Sequence, residues 1–354
     1  MTPTRWPQWT GYAAAAWSTI YALLGLLWTL GGPGYPFGEN DIPDARAESA
    51  LGATTVTGAA PWILAIGVLG TVVGLALARA RRGRVPLALL GGAIALGLVV
   101  VIPDQRPLMA VAYLPLVLVG TPFGWPDQDF GVLMGKLLPG PVIHLMLIQL
   151  GGLLFAAATV AFLRRGREAC GNCGRVHGTP ARWTTPVAAA RWGRIAAVVA
   201  VLCPLGYAVV RWGWVFHVPI GMTSAEIDEL HRTGVVWAGA YLATFAALGG
   251  VLTLGLFQRW GEVWPRWVLG LRGRRVLPAL PIALASVVTV TLASTVVTVV
   301  RLDVWSLENP MTLWPLWAVA LGTATLGYYY RTRGACQVCG STAGWPSQFV
   351  GATD

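Results

Sequence analysis

Charged residues are scarce in this chain. Only 11% of its 354 residues are Asp, Glu, Lys or Arg, against about 25% in an ordinary globular protein. This shortage argues against a soluble fold, while a mean hydropathy of +0.62 and 18 Trp residues favour helices that cross a hydrocarbon core about 30 Å thick. The sequence therefore predicts an all-α membrane protein whose main surroundings are the lipid bilayer.

The chain also lacks the short motifs of several enzyme and transporter classes. It has no phosphate-binding glycine loop, no HExxH motif, no Gly-x-Ser-x-Gly motif and no acidic motif of the prenyltransferase kind. A primary, ATP-driven pump is therefore disfavoured. No residue stands out as catalytic, so the sequence leaves open whether the protein is an enzyme.

The charged residues that give the net charge of +10 are distributed unequally between the two sides of the membrane. With the N-terminus placed in the cytosol, most arginines fall in cytoplasmic segments and most acidic residues fall outside, which is the bias that orients membrane proteins. The sequence thus predicts a multi-pass protein of the cytoplasmic membrane with both termini in the cytosol. The same distribution argues against a nucleic-acid partner.

Apolar runs near 20 residues long predict eight transmembrane helices. Their approximate ranges are 11–31, 60–78, 86–103, 142–163, 194–215, 234–257, 276–300 and 311–330. A ninth apolar stretch, 107–120, is shorter and contains Pro115. If it crossed, the arginines at 164–167 would face outward, so we expect a re-entrant or interfacial segment there.

The two halves of the chain repeat each other. Residues 158–174 and 324–340 are identical at eight of 17 positions, including arginines and cysteines that apolar helices would not share by chance. We predict that the chain divides into four parts. They are a first four-helix repeat (1–175), a cytoplasmic linker (176–190), a second four-helix repeat (191–340) and a flexible tail (341–354). Because each repeat has an even number of spans, the two are expected to be parallel.

Each repeat ends in a Cys-x-x-Cys-Gly sequence. Cys170 and Cys173 close the first repeat, and Cys336 and Cys339 close the second. Two residues between thiols let a tight turn aim both sulfurs at one ion, and the glycine permits the positive φ that such a knuckle needs. The spacing resembles zinc-ribbon and rubredoxin-type knuckles. It predicts a small cytoplasmic four-cysteine site, with structural zinc favoured over iron, while a thiol redox pair stays an alternative.

Polar residues within or near the outer ends of helices are candidates for a substrate-binding site, because charge inside a membrane is often functional. These candidates are Asp104, Arg106, His144, Gln149, Arg211, His217, Arg301 and Asp303. Arg211 is the most informative because the aligned residue of the first repeat is Gly25. Its side chain could reach the outer headgroups or point into a cavity. The histidines could equally be core residues, and the Asp–Arg pairs could be headgroup-level ion pairs.

The segments 21–38, 103–126 and 260–275 resemble a group of uncharacterised eight-helix actinobacterial membrane proteins with duplicated halves. This resemblance implies the fold but no activity. From the residues we expect a transporter-like or small-molecule- or lipid-binding protein whose zinc site joins the two repeats. The alternatives are a membrane redox enzyme or metal/redox sensor that uses the cysteines, and a scaffold for a cytoplasmic protein partner.

Overall fold

The computed structural model describes residues 6–80, 84–124, 128–175, 181–266, 268, 270–306, 308–336 and 338–340. Within these ranges the chain is helical, apart from loops and one isolated bridge between Val263 and Arg275. The helices are α1 (Trp6–Thr29), α2 (Val56–Arg79), α3 (Arg84–Leu96, continued by a π-helix at Gly97–Val101), α4 (Arg106–Gly120), α5 (Phe130–Leu137), α6 (Gly140–Gly166), α7 (Pro186–Val215), α8 (Ser224–Arg232), α9 (Val235–Thr253), α10 (Ala279–Ala293), α11 (Thr295–Arg301) and α12 (Trp314–Thr332). The predicted all-α class is confirmed for the described residues.

In the described part of the chain, eight helices are long and apolar enough to cross a membrane. They are Trp6–Thr29, Val56–Arg79, Arg84–Val101, Arg106–Phe123, Gly140–Gly166, Pro186–Val215, Val235–Leu256 and Ala279–Arg301. Seven of them correspond to predicted spans. These helices support a multi-pass membrane protein.

The eighth membrane-capable helix differs from the prediction. It is Arg106–Phe123, which contains the stretch expected to be interfacial, whereas the predicted span at 311–330 falls in α12, outside this apolar set. The sequence of α12 contains Trp, Tyr and Thr residues that lower its hydropathy. Trp314, Trp317 and Tyr328 are nevertheless buried against neighbouring helices, so α12 obtains its stability from packing within the protein.

The segment between α3 and α6 begins and ends beside the same loop, the one that follows α1. At its start, Arg106 pairs with Asp41 in the loop after α1, with 2.7 Å between Nη1 and Oδ1. Just beyond its end, the ring of His144 in α6 lies 6.1 Å from that of Phe37 in the same loop. Between α4 and α6 the described residues form a short 3-10 helix, Thr121–Phe123, and the eight-residue α5. The latter is about 12 Å long and too short to cross.

The chain forms two compact units. Unit 1 contains residues 1–106, 138–181 and 334–354, whereas unit 2 contains 107–137 and 182–333. The segment with α4 and α5 belongs to unit 2, and the second cysteine pair belongs to unit 1. The division into two repeats and a linker stays a prediction.

In unit 1, α1 packs along α2, and α6 packs against α1 and α3. Small residues allow the close approach of α1 and α2, since a Cβ atom on Gly74 would lie only 2.7 Å from the backbone N of Ala15. The buried core of this unit includes Trp28, Phe37, Leu145 and Phe155.

In unit 2, α7 packs against α9 and α12, and α10 packs against α12. The backbones of α7 and α12 meet at Gly193, where an added Cβ atom would lie 3.1 Å from the Cα of Gly327. The same order of packing occurs in both units: the first helix contacts the second and the fourth, and the third contacts the fourth. This agreement is what a duplication would produce, while the parallel relation of the repeats stays a prediction.

The described part of the predicted linker is partly helical. Thr185 caps α7 by accepting a hydrogen bond from the N–H of Ala188, and Pro186 fits the first helical turn. The helix therefore begins at Pro186, before the boundary predicted at 191. Residues 176–180 of the linker and the predicted flexible tail at 341–354 lie outside the described residues.

Candidate metal centre and apolar cavity

The four cysteines of the two Cys-x-x-Cys-Gly sequences form one cluster. Their Sγ atoms all lie within 4.8 Å of one another. The Cys170–Cys336 distance is 3.9 Å and the Cys173–Cys339 distance is 3.7 Å. Four sulfurs at about 2.3 Å from a tetrahedral metal ion are about 3.8 Å apart. The cluster therefore fits a metal ion held by four thiolates.

Each cysteine pair lies on a tight turn closed by its glycine. Gly174 N–H donates to the carbonyl of Cys170 at 2.7 Å, and Gly340 N–H donates to that of Cys336 at 2.8 Å. Both glycines have positive φ, 72° and 68°, a conformation that residues with a Cβ rarely adopt. The glycine role predicted from the sequence thus accounts for both turns.

Backbone N–H groups point at two of the sulfurs, as in metal-binding knuckles. Burial, reinforced by the neighbouring thiols, raises the pKa of Cys173 to about 12, although the Arg175 N–H donates to its sulfur. For Cys336, burial raises the pKa, but the N–H groups of Cys339 and Val338 outweigh it, and the pKa is lowered. Four clustered thiols cannot all ionise without a cation, so metal binding here would release protons.

Arginines hold the two cysteine turns in place. Arg164 donates to the carbonyls of Gly171 and Asn172, both at 3.0 Å. Arg175 donates to the carbonyl of Gly334, also at 3.0 Å, and so links the first turn to the segment that carries the second. These contacts keep the four sulfurs converged through groups that are not themselves ligands.

A second candidate site is an apolar cavity inside unit 1, with a volume of about 460 Å³. Its walls come from α1, α2, the π-helical end of α3, α6 and the loop after α1. Ligand pockets typically span about 300–1,000 Å³, so the volume suits a small molecule or a lipid chain. Trp62 and Ile66 line it from exposed positions on α2, at 70% and 53% exposure, which opens the cavity toward the surroundings of the helix.

This cavity could not be predicted from the sequence, because each lining residue resembles an ordinary apolar helix residue. The one sequence feature that could have indicated the cavity is the set of glycines in α2, since Gly58, Gly67 and Gly70 all line the cavity. The π-helix at Gly97–Val101, which contributes Leu98, has no sequence signature. Such π-helical turns frequently occur at functional sites.

Aromatic rings surround His144 beside this cavity. The rings of Tyr21, Trp28 and Phe37 each lie 6.1 Å from the imidazole, and Tyr21 Oη lies 3.3 Å from Nδ1. All three aromatic residues also line the cavity. His144 thus supports the cavity wall, and Gln149 is buried further along the same helix.

Asp104 and Arg106 form a buried ion-pair network with Asp41. Arg106 donates to both carboxylate oxygens of Asp41, at 2.7 and 2.9 Å, and to Asp104 Oδ2 at 2.7 Å. The side chains of both aspartates are fully buried. Asp41 was not among the site residues predicted from the sequence. Because these charges are paired with one another within the protein, the network is expected to have a structural role.

Arg211 lies between aromatic rings of its own helix. Its guanidinium is 5.4 Å from the ring centre of Tyr207 and 4.7 Å from that of Trp214. No carboxylate among the described residues pairs with it. These cation–π contacts stabilise the charge where an ion pair is lacking.

The remaining predicted polar residues lie on the surface of unit 2. His217 stacks on His231 at 3.9 Å between ring centres, and its Nε2 lies 3.9 Å from Asp228. Arg301 and Asp303 are exposed. The eight predicted substrate residues therefore divide equally, with Asp104, Arg106, His144 and Gln149 in unit 1 and the other four in unit 2. A single shared substrate site stays a prediction.

The described geometry thus brings together the predicted cysteines and reveals an additional cavity. No protein-family model, curated protein sequence or solved structure matches this chain.

Proposed function

We propose that this protein binds an apolar small molecule or lipid in the cavity of unit 1, while a zinc ion on the four cysteines fastens the end of the second repeat to the end of the first. The observation that carries the binding role is the cavity itself. It is large enough for a ligand and is lined mainly by apolar and aromatic side chains. Among its described lining residues none is charged.

The sequence left open a transporter-like or a ligand-binding role, and the cavity favours ligand binding over ion transport. Its lining offers hydroxyl groups and aromatic rings but no ion pathway. A protein that carried ions through this space would need charged or strongly polar groups along it. An apolar chain, in contrast, gains free energy from contact with the aromatic walls.

Chain topology supports one shared face for the cysteine turns. Four long helical segments, namely α7, α9, α10 with α11, and α12, separate the first cysteine pair from the second. An even number of crossings returns the chain to the side it left, in agreement with the cysteine cluster. The first four crossings would be α1, α2, α3 and α6, because the segment between α3 and α6 leaves and re-enters unit 1 at one end.

The arginines beside the cysteines support the cytosolic side. Arg164, Arg165 and Arg167 precede the first cysteine pair, and Arg331 and Arg333 precede the second. Cytoplasmic flanks carry such an excess of arginine. The cysteines would then lie in a reducing compartment, where thiols bind metals more often than they form structural disulfides.

Zinc fits the donor set better than other metals. Four cysteines are typical of closed structural zinc sites, which have no open position for a substrate. Because Cys170 and Cys173 belong to the first repeat and Cys336 and Cys339 to the second, the ion would stabilise the fold by tying distant parts of the chain together. Iron would give a coloured protein, so the appearance of the purified chain distinguishes the two metals.

A competition experiment tests the binding role. A fluorescent fatty-chain probe is added to the purified protein in detergent, and its affinity is compared with that of an Ile66→Trp variant, which adds volume at the cavity mouth. We expect at least a tenfold loss of probe affinity. The matched control is Val68→Trp, an equally exposed position of α2 that does not line the cavity, and it should bind as the unmodified protein does.

Equal probe binding by the Ile66→Trp and Val68→Trp variants would overturn the proposed binding role. The thermal stability of both variants is measured alongside, so that a loss of binding in a folded protein is separated from a loss of fold.

A further inference from the structure

One hydroxyl group in the cavity wall is buried without a protein partner. Ser18 lines the cavity from α1 and is only 1% exposed. Among the described residues, no hydrogen bond involves its Oγ atom. A net hydrogen bond contributes about 0.5–1.5 kcal/mol, so a ligand group in the cavity that bonds to this hydroxyl would gain affinity.

The other hydroxyl groups of the wall already have partners. Tyr21 Oη interacts with His144, Thr54 Oγ1 with Tyr35 at 2.7 Å, and Thr55 Oγ1 accepts from the N–H of Gly58 at 3.2 Å. Each therefore has a structural role within unit 1. Ser18 differs from all three of them.

Local helix geometry does not satisfy Ser18 either. A serine or threonine inside a helix commonly donates to the carbonyl four residues earlier. The adjacent Thr19 does so, donating to Ala15 O at 2.9 Å, whereas Ser18 has no equivalent bond in the described structure. Its hydroxyl therefore remains available for a group inside the cavity.

The facing helix leaves room for this hydroxyl. A Cβ atom on Gly70 of α2 would lie 2.6 Å from Ser18 Oγ, so a side chain at position 70 would force the hydroxyl to move. Both Gly70 and Phe155 line the cavity beside Ser18. The glycine thus lets the hydroxyl of Ser18 lie against the backbone of α2 at the cavity wall.

Depth restricts what the hydroxyl can bind. Ser18 is the thirteenth of the 24 residues of α1, so it lies about 18 Å from either end of the helix. In a spanning helix this position is near the bilayer centre, where a charged group is strongly disfavoured. The described lining contains no cation that would compensate such a charge.

We propose that the cavity ligand is an uncharged, chain-like lipid that carries a carbonyl or hydroxyl group, and that this group hydrogen-bonds to Ser18 Oγ. The inference rests on the proposed binding function and narrows its ligand class. The apolar chain of the ligand lies against the aromatic and aliphatic walls. The rest of this chain extends out of the cavity between Trp62 and Ile66, whose exposed side chains line the cavity mouth.

Paired competitors test the ligand class. A long-chain ketone with its carbonyl at mid-chain and the alkane of the same length are titrated against the fluorescent fatty-chain probe on the full-length protein. We expect the ketone to bind about 3- to 10-fold more tightly than the alkane, which is the range that one net hydrogen bond gives. In Ser18→Ala this preference should vanish through loss of ketone affinity, while alkane affinity is kept.

The control is Thr19→Val, which removes the neighbouring hydroxyl outside the cavity and should keep the preference. The Ser18→Ala protein without ligand should be about as heat-stable as the unmodified protein, because the substitution removes no hydrogen bond within the described structure.

Three outcomes would overturn the inference. Equal affinities for ketone and alkane in the unmodified protein would exclude a hydrogen bond to the ligand, even if both bind. A ketone preference that persists in Ser18→Ala would assign the bond to another residue. Competition by an anionic phospholipid as strong as that of the ketone would exclude an uncharged ligand. Failure of every chain molecule to bind would instead contradict the proposed function itself.

Discussion

The Sγ atoms of Cys173 and Cys339 lie 3.7 Å apart although 166 positions separate them in the sequence. A metal ion bound by both closes a very long loop, and such a closure restricts the unfolded chain strongly. The contact also brings the end of the second repeat to the end of the first. A metal ion at this cluster would therefore join the ends of the two predicted repeats.

Replacing one metal ligand should remove the ion and weaken the fold. We expect Cys339→Ser to lose the zinc, measured as metal per chain by elemental analysis, and to unfold at a lower temperature than the unmodified protein. The control is Cys203→Ala, which removes a buried thiol of α7 outside the cluster. A Cys339→Ser protein that retains one metal ion per chain would show that the cluster is not the binding site.

Equivalent arginines should stabilise both repeats in the same way. Arg165 donates to the carbonyls of Leu77 and Ala78 at the end of α2. Arg331 donates to those of Leu256 and Phe257, at the end of the 3-10 turn that continues α9. A cation at the C-terminal end of a helix is favourable. Arg331 also pairs with Glu262 and is less exposed than Arg165.

We therefore expect Arg165→Ala to cost about 1 kcal/mol and Arg331→Ala about 2 kcal/mol of stability, measured by thermal unfolding in detergent. Arg194→Ala, at an exposed position of α7, is the control and should have little effect. If neither Arg165→Ala nor Arg331→Ala lowered the unfolding temperature, the hydrogen bonds of these two arginines would not stabilise the fold.

Glu48 should make stability depend on pH. Burial raises the pKa of this carboxyl, and the charge of Asp104 adds to the rise, while Gln105 and Arg106 oppose it. A raised pKa means that the folded protein holds the proton more tightly than the unfolded chain. The stabilisation from the protonated form is complete below the unfolded pKa and is lost as pH rises through the folded pKa.

Glu48→Gln, which cannot ionise, should therefore be more heat-stable than the unmodified protein at neutral pH. The difference should shrink as the pH is lowered. Glu39→Gln replaces an exposed glutamate of the same loop and serves as the control. A Glu48→Gln effect that is constant across this pH range would rule out titration of Glu48 as its origin.

The sequence predicted the features that depend on local pattern. Apolar runs located seven of the eight membrane-capable helices, and two short cysteine motifs located the four-cysteine cluster, which could hold a metal ion. In both cases the signal is carried by neighbouring residues, because helix length and knuckle turns are local properties.

Features that depend on packing between distant residues were not predictable in this way. Ser18 follows a run of four alanines and tryptophan and resembles any small helix residue until Gly70 is placed opposite it. Asp41 looks like a solvated loop acid until Arg106 folds against it. The segment 107–120 was ambiguous for another reason, since α4 is apolar enough to cross a membrane. Its re-entrant or interfacial placement stays a prediction.

Native mass spectrometry of the protein purified from its membrane tests the binding role most directly. We expect an uncharged lipid bound to the unmodified chain and to Val68→Trp, and no such lipid on Ile66→Trp, with one zinc ion retained by all three. Lipid bound equally to Ile66→Trp and Val68→Trp would contradict the proposed binding role. The absence of bound lipid in the unmodified protein, together with no binding of added chain molecules, would do the same.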